Sequence, residues 1–207
     1  MDQQLLFSDV DVVERKTLYQ GFFKVQQLTL RHRLFSGSWS PTVTRELFVC
    51  GSAVAAILYD PKNALIGLVE QFRVGALDNA LMGQTTPWCY EVVAGMTELG
   101  ETTLEVIRRE IMEEAGIDAQ QLEKICEYYT SPGGSNEHIT LYCAVVDLHA
   151  AGGIYGLAEE CEDIRVVVSP EEAVFAKLYE GLYGNAATLI ALQWLQANKE
   201  RLKNDNN

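Results

Sequence analysis

Apolar residues recur at two spacings along the chain, and these spacings predict a mixture of strands and helices. Runs rich in apolar and β-branched residues predict strands at 43–50, 53–59, 65–71, 89–94, 125–130, 139–146 and 164–168, after a β-rich aromatic segment at 16–35. Helical spacing predicts helices at 171–180 and 186–202, the second with Leu189, Leu192 and Leu195 as apolar anchors. Because strands and helices do not alternate strictly, the pattern indicates an α+β fold.

The first 50 residues are predicted to form a small antiparallel β unit, which Gly51 and Ser52 separate from a main domain over 51–207. Because 50 residues are too few to build a core easily, these strands need either the main domain or a second subunit to pack against. Aromatic residues such as Tyr19, Phe22 and Phe23 are more often core residues than a ligand platform, although composition alone does not separate the two.

A further helix is predicted to begin near Thr103 and to end at Gly116. Thr102 and Glu105 have the spacing of a capping box, in which each residue caps the other's backbone amide. Leu104, Ile107 and Ile111 follow at helical spacing, so we expect them to form the buried stripe of this helix.

Two carboxylates of this helix, those of Glu110 and Glu114, are four residues apart and therefore share one face. Like charges at this spacing repel each other, and a cation between them removes the conflict. Carboxylate oxygens suit a hard ion such as Mg²⁺. The alternative is a solvated acidic face, which is the preferable interpretation for two glutamates alone. Glu113 is expected to point further toward water.

Length and charge restrict the possible classes of function. A chain of 207 residues fits one domain, or one domain with a small appendage. The net charge of −13 argues against nonspecific binding to nucleic acid or to anionic membranes, both of which require clustered cations. The five cysteines show no CxxC spacing and are expected to be reduced thiols. No signal peptide or membrane span is visible, so we expect a cytoplasmic protein.

The segment 95–117 reads GMTELGETTLEVIRREIMEEAGI and fills every defining position of the pattern Gx5Ex7REUxEExGU, where U is aliphatic. This pattern resembles the Nudix box, the signature of hydrolases that cleave nucleoside diphosphates linked to another group. The resemblance implies a Nudix α/β/α sandwich, in which a mixed sheet lies between helices, here joined to the small N-terminal β unit.

Stretches outside the box resemble the bacterial ADP-ribose pyrophosphatase branch of the Nudix hydrolases. They cover nearly the whole chain in the same order: LYQGFF, TRELF, EQFR, PWCYEVVAGM, SPGGSNE, GLAEECEDIR and NAATLIALQWLQ. One departure is Cys50, which stands where close relatives tend to carry a basic residue. The resemblance implies hydrolysis of ADP-ribose to AMP and ribose 5-phosphate.

The resemblance also implies a catalytic centre with two or three Mg²⁺ ions, with Mn²⁺ as a possible substitute. The implied ligands are the carbonyl of Ala94 and the carboxylates of Glu110, Glu114 and Glu162. Glu160 is implied as the general base, whereas charge alone favours a solvated loop at 159–163. Arg109 and Glu113 are box residues that we place among the catalytic residues. Arg109 and Glu101 are expected to act indirectly, by holding the helix and orienting the carboxylates.

The implied substrate-binding residues come from both parts of the chain. Arg73 would hold the pyrophosphate, as bidentate guanidinium–phosphate bonding allows. Met96 would lie against the substrate. A turn implied to line the pocket contains Ser131, Pro132, Gly133 and Glu137, although its sequence alone indicates only a turn. The family further implies a homodimer with exchanged N-terminal units, whose partner subunit supplies Phe22, Phe23, Arg45 and Glu46 to the adenine side.

Two alternatives remain open. One is a Nudix hydrolase that acts on another ADP-sugar, a dinucleotide cofactor or an oxidised nucleotide. The other is a noncatalytic sensor that binds ADP-ribose. A sensor would be expected to lose carboxylates of the box, and this chain keeps Glu101, Glu110, Glu113 and Glu114.

Overall fold

The computed structural model describes residues 5–206, apart from the side chain of Glu160. It divides into two compact units. The N-terminal unit contains the chain up to Gly51 together with Tyr129–His138, and the main unit contains Ser52–Tyr128 and the residues from Ile139 onward. The segment 129–138 therefore belongs with the N-terminal strands, whereas the predicted N-terminal unit ended at residue 50 and did not include this segment.

The N-terminal unit is built on a three-stranded antiparallel sheet. Its strands are β1 (Val10–Gln20), β2 (Lys24–His32) and β3 (Val43–Val49), with β2 in the centre. The segment 129–138 is attached to β3 through two backbone hydrogen bonds: Phe48 N donates to Gly134 O (2.8 Å) and Asn136 N donates to Phe48 O (3.2 Å). The strand β1 begins earlier than the β-rich segment predicted from the sequence.

The main unit is built on an eight-stranded sheet. Its strands are β4 (Ser52–Asp60), β5 (Leu65–Phe72), β6 (Trp88–Glu91), β7 (Val93–Met96), β8 (Gln121–Tyr129), β9 (His138–Val145), β10 (Gly153–Tyr155) and β11 (Ile164–Pro170). The order is β10-β11-β5-β4-β9-β8, with β6 paired to β5 and β7 paired to β4.

The sheet is mixed, as predicted. The pairs β4–β5, β4–β7, β5–β6 and β5–β11 are antiparallel. In contrast, His138 N donates to Gly51 O and Val146 N donates to Tyr59 O, so β9 advances in the same direction as β4. These observations confirm the α+β class.

Helices cover both faces of this sheet. They are α1 (Leu77–Leu81), α2 (Thr103–Ala115), α3 (Glu171–Ala176) and α4 (Ala186–Asp205). Ala55, Ile57 and Tyr59 of β4 belong to the core cluster that contains α4, whereas Val54, Ala56 and Leu58 belong to the cluster that contains α2. Successive residues of a strand point to opposite faces, so one buried strand serves both cores.

The predicted strand 89–94 is interrupted at Val92, which separates β6 from β7. The Val92 amide, which leaves the strand ladder at this point, donates instead to Thr188 Oγ1 of α4 (3.1 Å). A tertiary hydrogen bond of this kind is not visible in a local apolar run. The structure also ends the predicted helix 171–180 at Ala176 and adds α1 and β10, which were not predicted.

No helix in the described range combines the length and apolarity needed to cross a bilayer. All five cysteines are free thiols.

Candidate active site

The helix α2 begins and ends as its sequence predicts. Thr102 Oγ1 accepts a hydrogen bond from Glu105 N, and the Glu105 carboxylate accepts one from Thr102 N (3.0 Å), which completes the capping box. Gly116 ends the helix with φ +67°, a left-handed conformation that glycine adopts without strain. The predicted buried stripe is wrong at Leu104, which is exposed. Val106, Ile107, Ile111 and Ala115 form the buried face.

The first glycine of the box leaves room for the Glu110 carboxylate. Gly95 lies on β7, against which α2 packs, and a Cβ at this position would overlap Cδ and Oε1 of Glu110. Burial raises the pKa of Glu110. The positive charge of Arg109 opposes this rise, and Glu113 and Glu162 add to it. The absence of a side chain at position 95 therefore brings a carboxylate of α2 against the backbone of β7.

Glu114 is the most buried carboxylate of the helix, with 3% of its surface exposed. Its Oε2 accepts a hydrogen bond from the backbone amide of Ala94 (3.3 Å). Burial, together with the charges of Glu110 and Glu162, raises the pKa of Glu114 to about 8, against the opposing effects of the Ala94 amide and Arg73. The described contact of Ala94 is thus made by its amide, and coordination by its carbonyl stays a prediction.

The acidic loop before β11 brings a third carboxylate to this region. Glu162 Oε2 accepts a hydrogen bond from Leu157 N (3.3 Å), and its backbone passes close to Gly156, which has φ +103°. The effect of Glu162 on the pKa values of Glu110 and Glu114 places its charge near both. Glu160 ends the short turn Ala158–Glu160, and its side chain lies outside the described part of the structure.

The chemistry of these residues fits a divalent cation. Within the described residues, which omit the Glu160 side chain, no three His, Cys, Asp or Glu side chains are arranged to hold a metal ion as they stand. The donors are nevertheless carboxylate oxygens of the kind that Mg²⁺ binds. Glu114 is buried and has no ion-pair partner among the residues that the structure describes, and Gly95 makes space beside Glu110. A bound cation would relieve the mutual repulsion of Glu110, Glu114 and Glu162.

Arg109 is held between two carboxylates of its own helix. Its Nη1 lies 2.8 Å from Glu110 Oε1 and 3.1 Å from Glu113 Oε2. Glu113 is partly exposed, in agreement with its predicted orientation toward water. The direct ion pairs of Arg109 are therefore not with Glu101, whose carboxylate accepts a hydrogen bond from Glu98 N (3.0 Å) and acts on Arg109 only through space. Arg109 can orient Glu110 directly.

Arg73 comes directly after β5, and its charge opposes the rise of the Glu114 pKa. Its Nε donates to Oε2 of Glu91 (2.7 Å), and its backbone amide donates to Pro87 O (2.8 Å). Met96, at the end of β7, is half exposed. The structure therefore groups Arg73 with the acidic residues of the main unit.

The N-terminal unit presents the other predicted residues. Phe22 is almost fully exposed and Phe23 is half exposed, with their ring centroids 4.9 Å apart. Phe23 also contacts Phe48, at 4.9 Å between centroids. Tyr19 is exposed too, so none of the three N-terminal aromatics named in the sequence is a core residue of the chain. Arg45 and Glu46 are exposed positions of the neighbouring strand β3.

The turn predicted to line the pocket belongs to this same unit. Ser131, Pro132 and Gly133 are exposed, and the Ser131 carbonyl accepts hydrogen bonds from Gly134 N and Ser135 N. Glu137 accepts a hydrogen bond from Thr130 Oγ1 (2.7 Å). Cys50, close by, accepts a weak hydrogen bond from Ser135 Oγ (3.6 Å).

Several polar residues near Arg73 were missed in the sequence. Glu91 is buried and also accepts a hydrogen bond from Asn185 Nδ2 (2.9 Å). Gln71, on β5, is buried as well, and its amide nitrogen has no hydrogen-bond partner among the described residues. The only signal for either residue is a polar side chain near the end of a largely apolar strand, which does not reveal a partner distant in sequence.

Comparison with known proteins agrees with this geometry. The family model for the NUDIX domain matches residues 51–190. The chain is 43% identical to an ADP-ribose pyrophosphatase of Escherichia coli (strain K12), over 96% of this chain and 93% of that protein. It is also 43% identical to an ADP-ribose pyrophosphatase of Haemophilus influenzae, over 94% and 89% of the two chains.

More distant proteins also match nearly the whole chain. A GDP-mannose pyrophosphatase of Cronobacter sakazakii is 30% identical over 91% of this chain and 95% of its own. A solved structure described as an ADP compounds hydrolase superposes with a TM-score of 0.70 at 19% identity, over 98% of both chains, and thus shares the fold. The matched domain and the extent of these identities show that the chain belongs to the Nudix family of hydrolases.

Proposed function

We propose that the chain hydrolyses the pyrophosphate of ADP-ribose to give AMP and ribose 5-phosphate. The observation that carries this proposal is the placement of Glu110 and Glu114 against the Ala94–Gly95 backbone, with Glu162 near both. The choice of ADP-ribose rests on the relatives described as ADP-ribose pyrophosphatases, which match nearly the whole length of the chain.

Glu110, Glu114 and Glu162, with the carbonyl of Ala94, would hold two or three Mg²⁺ ions, or Mn²⁺ in their place. When bound, such ions neutralise charge on the phosphoryl oxygens and promote ionisation of the attacking water. Arg109 keeps the Glu110 carboxylate in place through their 2.8 Å ion pair, and Glu113 contacts the same guanidinium nitrogen at 3.1 Å. The carboxylates are thus oriented before substrate arrives.

Glu160 would accept the proton of the attacking water. It lies two residues before Glu162, in the turn that leads from Ala158 to β11. General-base catalysis typically contributes about 10²–10⁴-fold to the rate. The positively charged guanidinium of Arg73 would bind the negatively charged pyrophosphate. Met96 would contact the substrate beside it.

The adenosine end would be bound by the exposed groups of the N-terminal unit. Phe22 and Phe23 offer an aromatic edge-to-face pair, and Arg45 and Glu46 offer hydrogen-bonding groups from β3. Ser131, Pro132, Gly133 and Glu137 would line the same pocket. We infer that the chain forms a homodimer in which each N-terminal unit serves the partner's site.

Exposed apolar residues support the proposed dimer. Val13, Leu18 and Tyr19 of β1 are exposed, together with Phe22. Burial of such exposed apolar residues against a second chain would stabilise the dimer. Sedimentation at micromolar concentration is expected to give a species of two chains, and a single-chain species at all concentrations would contradict the exchanged dimer.

A substrate panel tests the proposed specificity. Under equal Mg²⁺, kcat/KM for ADP-ribose is expected to exceed the values for other ADP-sugars, for dinucleotide cofactors and for an oxidised nucleotide. GDP-mannose belongs in the panel because one relative is described as a GDP-mannose pyrophosphatase. A higher kcat/KM for any of these compounds would replace ADP-ribose as the preferred substrate. Saturable ADP-ribose binding without product would instead favour a noncatalytic sensor.

The cytoplasmic location stays a prediction.

A further inference from the structure

Glu91 is a buried carboxylate that joins two distant parts of the main unit. It ends β6, and only 4% of its surface is exposed. One oxygen, Oε2, accepts a hydrogen bond from Arg73 Nε (2.7 Å), and the other, Oε1, accepts one from Asn185 Nδ2 (2.9 Å). A carboxylate with both oxygens engaged in this way has a defined orientation.

The Asn185 end of this arrangement is itself fixed by α4. Asn185 is the N-cap of that helix, and its Oδ1 accepts a hydrogen bond from Thr188 N (3.2 Å). Thr188 Oγ1 in turn accepts a hydrogen bond from the backbone amide of Val92, the residue that follows Glu91 in the chain. Glu91 is therefore held by a helix terminus and by its own backbone neighbour, which leaves it little freedom to rotate.

The Arg73 end is open to a ligand. The Arg73 side chain is 45% exposed, although its carboxylate partner is buried. Among the described residues, its side chain forms no hydrogen bond or ion pair other than that between Nε and Glu91. The terminal nitrogens, Nη1 and Nη2, thus present a free edge that can donate two parallel hydrogen bonds to an anion.

The free edge lies beside the strand that contacts the carboxylate site. Arg73 is bonded to Glu91, which comes three residues before Ala94, and the Ala94 amide donates to Glu114. A pyrophosphate held by cations at Glu110 and Glu114 would be within the influence of the same guanidinium. The orientation of the fork would then determine whether Arg73 binds with one nitrogen or with two.

We propose that Glu91 is a positioning residue, which holds the Arg73 guanidinium by Nε so that its terminal nitrogens engage the substrate pyrophosphate. The inference rests on the proposed hydrolysis of ADP-ribose and adds a residue outside the Nudix box to the binding of that substrate. Stability alone is a weak reason for this pair, because a buried ion pair is often no more stabilising than an apolar pair of similar volume.

A second buried carboxylate provides a matched control. Glu171 is 3% exposed and accepts hydrogen bonds from Lys199, Lys203 and Tyr59. It lies at the start of α3, and no element of the proposed substrate site contacts it through these bonds. Glu171→Gln therefore removes a buried charge by the same chemical change as Glu91→Gln, without a connection to Arg73.

The experiment is a double-mutant cycle on steady-state hydrolysis of ADP-ribose with Mg²⁺, using Glu91→Gln, Arg73→Ala and the double variant. Glu91→Gln is expected to raise KM about tenfold, the change that corresponds to loss of roughly one charge-assisted hydrogen bond, with a smaller change in kcat. In the Arg73→Ala background the same substitution is expected to change KM by less than about twofold, because the group that it positions is absent. Glu171→Gln is expected to leave KM unchanged.

Each result decides the matter. An active wild type with an unchanged KM in Glu91→Gln would overturn the positioning role alone. The same would follow if the rise in KM were as large in the Arg73→Ala background, since the effect would then be independent of Arg73. A wild type that does not hydrolyse ADP-ribose would overturn the proposed function and, with it, this inference.

Discussion

The backbone of Gly95 lies directly against the carboxylate of Glu110, so that a Cβ at position 95 would overlap Cδ and Oε1 of that side chain. The glycine of the box is therefore required here for space, since its φ is not in the left-handed region. Two residues 15 positions apart in the sequence depend on each other because β7 and α2 pack together.

Replacement of Gly95 by alanine is expected to displace Glu110 and to lower both kcat/KM and divalent-cation affinity by about 10–100-fold, as loss of ligand positioning typically does. Isothermal titration with Mn²⁺ and initial rates with ADP-ribose measure the two effects. Gly67→Ala is the matched control, because its Cβ would press on Leu58 in the core of β4 and β5. That variant is expected to lower Tm but not cation affinity, and equal losses of affinity in both variants would contradict the role of Gly95.

Glu114 is expected to separate stability from activity. Its buried carboxylate is ionised at a cost, as the rise of its pKa to about 8 indicates. Glu114→Gln keeps the shape and the acceptor for the Ala94 amide while removing that charge. Metal-free Glu114→Gln is expected to be at least as stable as the wild type in urea, while its cation affinity falls by at least about 100-fold. A clear loss of stability together with normal affinity would mean that Glu114 is structural.

Glu160→Gln tests the general base. The variant is expected to lose about 10²–10⁴-fold in kcat, because it cannot accept a proton, and to retain ADP-ribose binding. Equilibrium binding and single-turnover rates separate the two quantities. Glu159→Gln, a change at the neighbouring acidic residue, is the control and should retain normal turnover. Near-normal kcat in Glu160→Gln would assign the base to another residue, for example one in α2.

Glu171 is expected to make stability depend on pH. Burial alone would raise the pKa of Glu171, but hydrogen bonds from Lys199, Lys203 and Tyr59 outweigh burial and lower it. A group whose pKa is lower in the folded state stabilises the fold above its ordinary value near 4.5 and loses this contribution as the pH falls through the folded pKa. Glu171→Gln should therefore cost about 1–3 kcal/mol at pH 7. In urea unfolding, the difference in free energy of unfolding between the wild type and Glu171→Gln should decrease toward pH 3. A difference that does not change with pH would contradict this assignment.

Local signals in the sequence account for much of this fold. Both ends of α2 are predicted by the sequence, its start by the capping box at Thr102 and Glu105 and its end by Gly116. This is possible because the groups that cap a helix are close to its ends in sequence. The continuous apolar run at 53–59 similarly predicts the strand β4, which the structure buries on both faces. The break at Val92 was not predictable, because it depends on Thr188 of α4, 96 residues away.

The candidate site shows the same division. The spacing of Glu110 and Glu114 placed them on one face of α2, and the resemblance to the Nudix box predicted their role as metal ligands. The exposure of Leu104 was missed, because helical spacing identifies a face without specifying how far the sheet extends beneath it. The Arg73–Glu91–Asn185 arrangement was also missed, since it joins three elements that are separated along the chain.

Hydrolysis of ADP-ribose is tested by analysis of the products that purified protein forms from ADP-ribose and Mg²⁺, with Glu114→Gln measured in parallel. We expect equal amounts of AMP and ribose 5-phosphate from the wild type and little of either from the folded variant. Absence of both products from wild-type protein that binds Mg²⁺, or equal turnover by Glu114→Gln, would contradict it.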